Sequence, residues 1–227
     1  MCGRFAFYGN SSFGYESFFL PEPPIFENYN ITPSQDILAI RTSPETGQPE
    51  YAMLHWGLVP FWSKSAKTKF PLINARSEGI EAKPSFRDPF KHRRCIIPAS
   101  GFYEWRKVEE QKQPYFVRPV DSRYFALAGI WDHWRGENGE VINSCAIITT
   151  TANTLMREIH DRMPVILGKE NLNAWLDPTV RQIDLLTMLE PCPDASIEIY
   201  PVSNRVNSPR NNGPECVARS ISDSLSR

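Results

Sequence analysis

No stretch of this 227-residue sequence is long and apolar enough to cross a bilayer, and its opening residues offer one arginine and no apolar core of signal-peptide length. Cysteine is scarce. The five present, Cys2, Cys95, Cys145, Cys192 and Cys216, are odd in number and include no C-x-x-C pair, which argues against a disulfide framework and against a structural zinc site. An excess of either charge is missing as well: 25 Lys and Arg stand against 26 Asp and Glu, for a net charge of -1. Any attraction to nucleic acid or an anionic membrane must therefore come from a local patch. Internal repeats, low-complexity tracts and Gly/Ser linkers are absent, and 20 prolines spread along the chain imply turns rather than a hinge. These absences predict an intracellular protein with a single domain over 1–227.

What is present is a series of short apolar runs rich in β-branched and aromatic residues and bounded by turn formers. "DILAIRT", "YAMLHWGL", "RCIIPA", "GFYEWRKV", "QPYFVRP", "YFALAGIWDHW", "VINSCAIITTT", "MPVIL" and "SIEIYPV" all read as strands. Helical patterns are fewer: "TANTLMREIH" after a Thr150 or Thr151 cap, "KENLNAWL" and "VRQIDLLTMLE". The fold class is strand-dominated α+β. Brief turns between strands imply a mainly antiparallel sheet, curled or barrel-like, with a few peripheral helices.

Cys2 directly follows Met1. Removal of the methionine by an aminopeptidase would leave an amine and a thiol on adjacent carbons, a 1,2-aminothiol. With reference pKa values of about 8 for the amine and about 8.5 for the thiol, both are partly nucleophilic near neutral pH. Such a group can attack an acyl carbon, or condense with an aldehyde to an imine that the thiol then closes to a thiazolidine. A frayed second residue is the plainer alternative.

Several polar residues stand in unusual places. "PLINARSEG" sets Asn74 and Arg76 two apart, on one face of an extended segment, where an amide beside a guanidinium suits an anionic or carbonyl ligand. Alternatively, Asn74 caps a helix over "SEGIEAKP" and Arg76 is solvated. Glu104 stands among large apolar side chains in "GFYEW", sharing a face with Phe102; in a cleft, such a carboxyl becomes a general acid or base. "EIHDRMP" places His160 and Arg162 at a helix end, either as a dipole-stabilised histidine or as a proton shuttle beside a phosphate-binding arginine. "WGLVPFWSKSAKTK" interleaves Trp56, Phe61 and Trp62 with Lys64, Lys67 and Lys69, a pattern on which single-stranded bases stack while phosphates are neutralised. "RDPFKHRR" adds a second basic cluster, and each of these two stretches is alternatively an ordinary solvated loop over a core aromatic.

The segments "MCGRF", "NITP", "WGLVPFW", "INARSE", "FRDPFKHRRCIIPASGFYEW", "HDRMPVIL" and "PVSNRVNSPRNNGPE" occur in that order over nearly the whole chain, with the residues after about 216 outside them. In them the sequence resembles the SRAP family of SOS response-associated peptidase proteins, sensors of abasic sites in single-stranded DNA. One departure is Asn212, where the family more often has aspartate. The resemblance implies that Cys2, freed of Met1, attacks the ring-opened C1′ aldehyde of an abasic deoxyribose and closes a thiazolidine, a covalent DNA–protein crosslink. It implies that Asn74 orients the terminus and the sugar, that Glu104 transfers protons and that His160 acts on the sugar hydroxyl and its phosphate. Arg76 and Arg162 would grip phosphates, with Arg4 and the lysines Lys64 and Lys67 assisting, and Pro60, Phe61 and Trp62 would form a stacking wedge. The partner implied is single-stranded DNA carrying abasic sites, or a single-strand to duplex junction, met by a cytoplasmic monomer that is nucleoid-associated on damaged DNA. No cofactor, metal or membrane enters. The family name also implies autocatalytic removal of Met1, a peptidase or hydrolase step, beside lyase-like abasic-site chemistry.

The residue types themselves suit this chemistry. Imine formation needs an acid near the leaving oxygen and a base for the amine, which one tuned carboxyl and a histidine can share. General proteolysis fits less well, because no separate oxyanion hole can be read. Two other readings stay open: an N-terminal-cysteine amidotransferase or hydrolase, for which no partner synthase domain is found, and a non-covalent single-strand binder with an inert Cys2.

Overall fold

The computed structural model describes residues 2–9, 17–21, 27–66 and 71–220. Among them the strands are β1 (Phe5–Phe7), β2 (Asn28–Ile31), β3 (Asp36–Thr42), β4 (Pro49–Trp56), β5 (Asn74–Arg76), β6 (Arg94–Ala99), β7 (Gly101–Val108), β8 (Gln111–Pro119), β9 (Phe125–Arg135), β10 (Val141–Thr151), β11 (Arg162–Pro164) and β12 (Ile197–Pro201). Four short α-helices accompany them: α1 (Arg87–His92), α2 (Thr154–Arg157), α3 (Leu172–Leu176) and α4 (Gln182–Thr187).

Strands β10, β4, β3, β6 and β9 pair in that order, and β9 pairs back onto β10, so the five close into a ring. All pairings in the ring are antiparallel except β4 with β10. The far half of β10 carries β5 on one side and β11 on the other. A second sheet, wholly antiparallel, runs β12, β8, β7, β1, β2. The strand-dominated, mainly antiparallel, barrel-like expectation holds.

Alternation along the ring strands explains why their sequences are apolar on both faces. Cys145 and Ile147 of β10 join Cys95, Ile97 and Leu127 in one core, which also takes in Phe5 and Phe102 of the second sheet. Their neighbours Ala146 and Ile148 join Ile96, Ala128 and the helical Leu172 and Trp175 in another. Arg94 ties the helices to the ring. Buried at 4% exposure, it donates to the carbonyls of Phe90 and Lys91 in α1 and of Trp175 and Asp177 at the end of α3. These are helix-end acceptors left without intrahelical partners. Burial pushes its pKa down to about 10.

Local structure departs from the sequence reading in two places. Thr150 and Thr151 remain in β10, opposite Met163 and Arg162, so they cap nothing. Asn153 is the cap instead, its Oδ1 accepting from Met156 N–H at 2.9 Å, and the helix is only Thr154–Arg157. The segment "SEGIEAKP" forms turns rather than a helix, with Gly79 at φ +67°, while Asn74 belongs to β5.

Gly101, where β7 meets Ala6 of β1, has no room for a side chain: an ideal Cβ would sit 2.4 Å from the Phe116 ring and from Val117 O. Gly101→Ala is therefore expected to lower stability by about 1–3 kcal/mol in denaturant unfolding. An unchanged midpoint would show that the contact relaxes freely.

Candidate active site

The amino-terminal strand places the nucleophile candidate. β1 pairs with β7 through Phe5 with Phe102 and Ala6 with Gly101, and Tyr103 N–H donates to Arg4 O at 2.9 Å. The chain from Cys2 to Arg4 therefore runs alongside Glu104. Phe5 packs edge-on against Trp56 with ring centroids 5.2 Å apart, and Trp56 Nε1–H is itself held by Ile73 O. From the other sheet, Asn74 Nδ2 donates to Cys2 O at 2.8 Å. Cys2 is thus fixed between two sheets and fully buried.

This enclosure sets the thiol's chemistry. Burial first, and then the negative charge of Glu104, push the Cys2 pKa up to about 12, so at neutral pH it is a thiol rather than a thiolate. Glu104 is 4% exposed, on the β7 face it shares with buried Phe102. Beside it opens a cavity of about 390 Å³ lined by Arg4, Glu104, Trp105, Lys112, His160 and Asn207. Arg4 donates through Nη1 to Asn30 Oδ1 and Val206 O, both at 2.7 Å, and lies 5.8 Å from the Trp105 ring centroid. Trp105 Nε1–H is anchored by Asn207 Oδ1 at 2.8 Å. His160 Nδ1 lies 3.0 Å from Arg162 N–H and 2.8 Å from Asp161 Oδ1. The first contact needs the nitrogen's lone pair and the second its proton, so the ring's tautomer sets which of the two is made. Arg4 Nε and Asn74 Oδ1 are buried and make no hydrogen bond to the described residues.

Of the residues singled out by sequence, Cys2 and Asn74 are bonded to each other, and Arg4, Glu104 and His160 line one cavity. Arg76 and Lys64 are exposed, and Phe61 and Trp62 are each 54% exposed. Four further features of the sequence reading are placed as follows. Arg162 is 9% exposed, its guanidinium pairs with the Glu78 carboxylate and it donates to Thr149 O. Pro60 is buried, whereas Phe61 and Trp62, next along the chain, are exposed. Trp56 is core, as the alternative reading of its segment has it. In "RDPFKHRR", Arg94 is spent on helix ends and Arg93 pairs with Asp88 and Asp132, leaving Arg87, Lys91 and His92 exposed. Lys67, Lys69 and Met1 lie outside the described residues.

Sequence reasoning assigned no role to Trp105, Lys112, Asn207 or Asn30. Asn30 matters through Arg4, and its own Nδ2 donates to Ser208 O and Asn211 O, drawing the 206–211 loop against β2. The only sequence signal was the asparagine-rich "NSPRNN" and the "NITP" segment. Asn212, the visible departure from the family pattern, accepts from Tyr29 N–H through Oδ1 at 2.6 Å, as an aspartate oxygen could.

A family model described as SOS response associated peptidase (SRAP) matches residues 1–209. The abasic site processing protein YoqW of Bacillus subtilis is 43% identical over 223 residues, covering 96% of this chain and 99% of that protein. The mouse abasic site processing protein HMCES is 38% identical over 197 residues, covering 73% of this chain and 55% of HMCES. A crystal structure of a Bacteroides thetaiotaomicron protein superposes with a TM-score of 0.85 at 29% identity, covering 97% of this chain and all of the other.

The field of Glu104 on Cys2 gives a directional test. Glu104→Gln removes the charge that raises the thiol's pKa, so alkylation of Cys2 near pH 8, read by peptide mass spectrometry, is expected to be faster than in the parent protein. Equal rates would deny the coupling. The same shift makes folding pH-dependent: the stability it contributes is complete below the unfolded thiol's pKa of about 8.5 and is lost as pH rises towards about 12.

Proposed function

The chain belongs to the SOS response associated peptidase (SRAP) family, and from that membership together with the site geometry we propose that it binds abasic sites in single-stranded DNA and captures them covalently through Cys2. Hydrolysis of the Met1–Cys2 amide consumes one water and frees the amine. The amine adds to the C1′ aldehyde of the ring-opened sugar and expels that oxygen as water, leaving an imine. The thiol sulfur then bonds to the imine carbon, its proton passing to the nitrogen, and the product is a thiazolidine. No electron acceptor is required.

The observation that carries this reading is the hold on Cys2: its carbonyl is fixed by Asn74, and its thiol lies in the field of Glu104. Asn74 Oδ1, which makes no hydrogen bond to the described residues, is the acceptor a freed Cys2 amine needs for orientation. Glu104 and His160 line the cavity beside it, where one gives a proton to the departing oxygen and the other relieves the amine of one. Arg162, held by Glu78, acts on His160 through its backbone N–H rather than on a phosphate. Exposed Arg76 and Lys64, with Arg4 and Lys112 at the cavity, neutralise the DNA backbone, and Phe61 and Trp62 stack on bases beside the lesion. The protein works as a monomer. No described helix is long and apolar enough to cross a membrane.

The test mixes protein, with Met1 removal verified by mass spectrometry, and a single-stranded oligonucleotide bearing one abasic site, then resolves them on a denaturing gel. A retarded band is expected that requires both the lesion and Cys2 and is absent for Cys2→Ser. Its absence in the parent protein would overturn covalent capture. Glu104→Gln is expected to slow band formation by about 10²-fold or more.

A further inference from the structure

The exposed Phe61 and Trp62 sit on a loop that is fastened at three points to the β9–β10 hairpin. Val59 N–H donates to Ser144 Oγ at 2.8 Å, Phe61 N–H donates to Asp132 Oδ2 at 2.9 Å, and Trp134 Nε1–H donates to Ser63 O at 2.7 Å. Inside the loop, Ser63 N–H closes a turn onto Pro60 O at 2.8 Å. The three fastening side chains share one face of the hairpin: Asp132 and Trp134 are two apart on β9, and Ser144 is the cross-strand partner of Asp132.

Asp132 differs from the other two because it is charged and 1% exposed. A buried carboxylate is costly unless it is paired and hydrogen-bonded. Here Oδ1 accepts from His133 N–H at 2.8 Å and lies 3.1 Å from Arg93 Nη2, while Oδ2 is given to the wedge loop. Arg93 is in turn held by Asp88 of α1. The backbone of Phe61 is thereby tied through Asp132 and Arg93 to the helix layer. An exposed aromatic can stack on a base without first paying ordering entropy only if its loop is already fixed.

We propose that Asp132 is a positioning residue for DNA binding: it holds the Phe61–Trp62 loop in the conformation that receives a base, without touching DNA itself. The inference rests on the stacking role given to Phe61 and Trp62 above. Asp132→Asn keeps the size of the side chain but replaces one acceptor oxygen with an NH₂ donor and removes the charge facing Arg93, so Phe61 N–H and His133 N–H can no longer both be satisfied alongside Arg93.

The test is a double-mutant cycle on crosslinking to the single-stranded abasic oligonucleotide, with half-saturating DNA concentration and maximal rate measured separately. Trp62→Ala is expected to raise half-saturation by about tenfold. Asp132→Asn is expected to raise it by about fivefold with the maximal rate unchanged. Combined, the two are expected to lose less than the sum of their separate losses, because with Trp62 gone only Phe61 is left to position. Additive losses, a fall in maximal rate alone, or no effect of Asp132→Asn while Trp62→Ala binds weakly would overturn the proposal. No effect of Trp62→Ala would instead remove the stacking role on which it stands. Should Asp132→Asn fail to fold, Ser144→Ala releases the adjacent fastening on Val59 N–H, and the same non-additivity with Trp62→Ala decides the outcome.

Discussion

The site depends on a very short pairing. Two residue pairs, Phe5 with Phe102 and Ala6 with Gly101, join the amino-terminal strand to β7, and this register brings Cys2 beside Glu104. So short a ladder cannot hold a terminus by backbone hydrogen bonds alone. Its hold comes from packing: Phe5 against Trp56, a side-chain-free approach at Gly101, and Phe7 and Phe102 in the core shared with the ring. Asn74 adds the polar tie from β5, itself carried on β10. The long β10 thus acts on the site twice, by carrying β5 and by pairing through β11 with the strand that follows His160.

Polar residues of the site are supported by partners far away in sequence. Arg4 is held by Asn30 and Val206, Arg162 by Glu78, and Trp105 by Asn207. Each tie spans 26 residues or more, and the Arg4–Val206 tie spans 202. Charged and aromatic side chains that could reach many rotamers are thereby fixed before any ligand arrives, which is how a site avoids the entropic cost of organising itself on binding.

These long-range ties are the part of the structure that the sequence concealed. Strands were legible because β-branched and aromatic runs carry a local signal: "DILAIRT", "RCIIPA", "GFYEWRKV" and "VINSCAIITTT" coincide with β3, β6, β7 and β10. Cys2, Asn74, Glu104 and His160 stood out through their odd chemical setting and through the family resemblance, and the structure hydrogen-bonds the first two and sets the last two on one cavity. The Arg162–Glu78 pair was not legible, because a basic residue beside a histidine looks the same in sequence whatever carboxylate it meets. The core seat of Trp56 was legible only as one of two readings, because the local "WGLVPFW" pattern does not reveal that its indole closes onto Ile73 O. The cap at Asn153 was missed because β11 draws Thr150 and Thr151 into a ladder that local propensity cannot foresee.

Burial of Cys2 also bears on the order of the proposed reaction. While Met1 is attached, a thiol whose pKa is raised to about 12 presents almost no thiolate at neutral pH, so it is a poor first nucleophile towards a passing electrophile. The α-amine freed with Met1, at a reference pKa of about 8, has a much larger nucleophilic fraction. In the proposed reaction attack then begins at nitrogen, and a carbonyl such as the abasic aldehyde converts that attack into an imine. Once the imine exists, its carbon lies within the same residue's reach of the sulfur, and ring closure becomes intramolecular, where proximity replaces thiolate concentration. The enclosure that suppresses the thiol's general reactivity thus leaves the one reaction that an abasic sugar makes available, and the carboxylate that helps to raise the pKa stands ready to move the proton when the sulfur reacts.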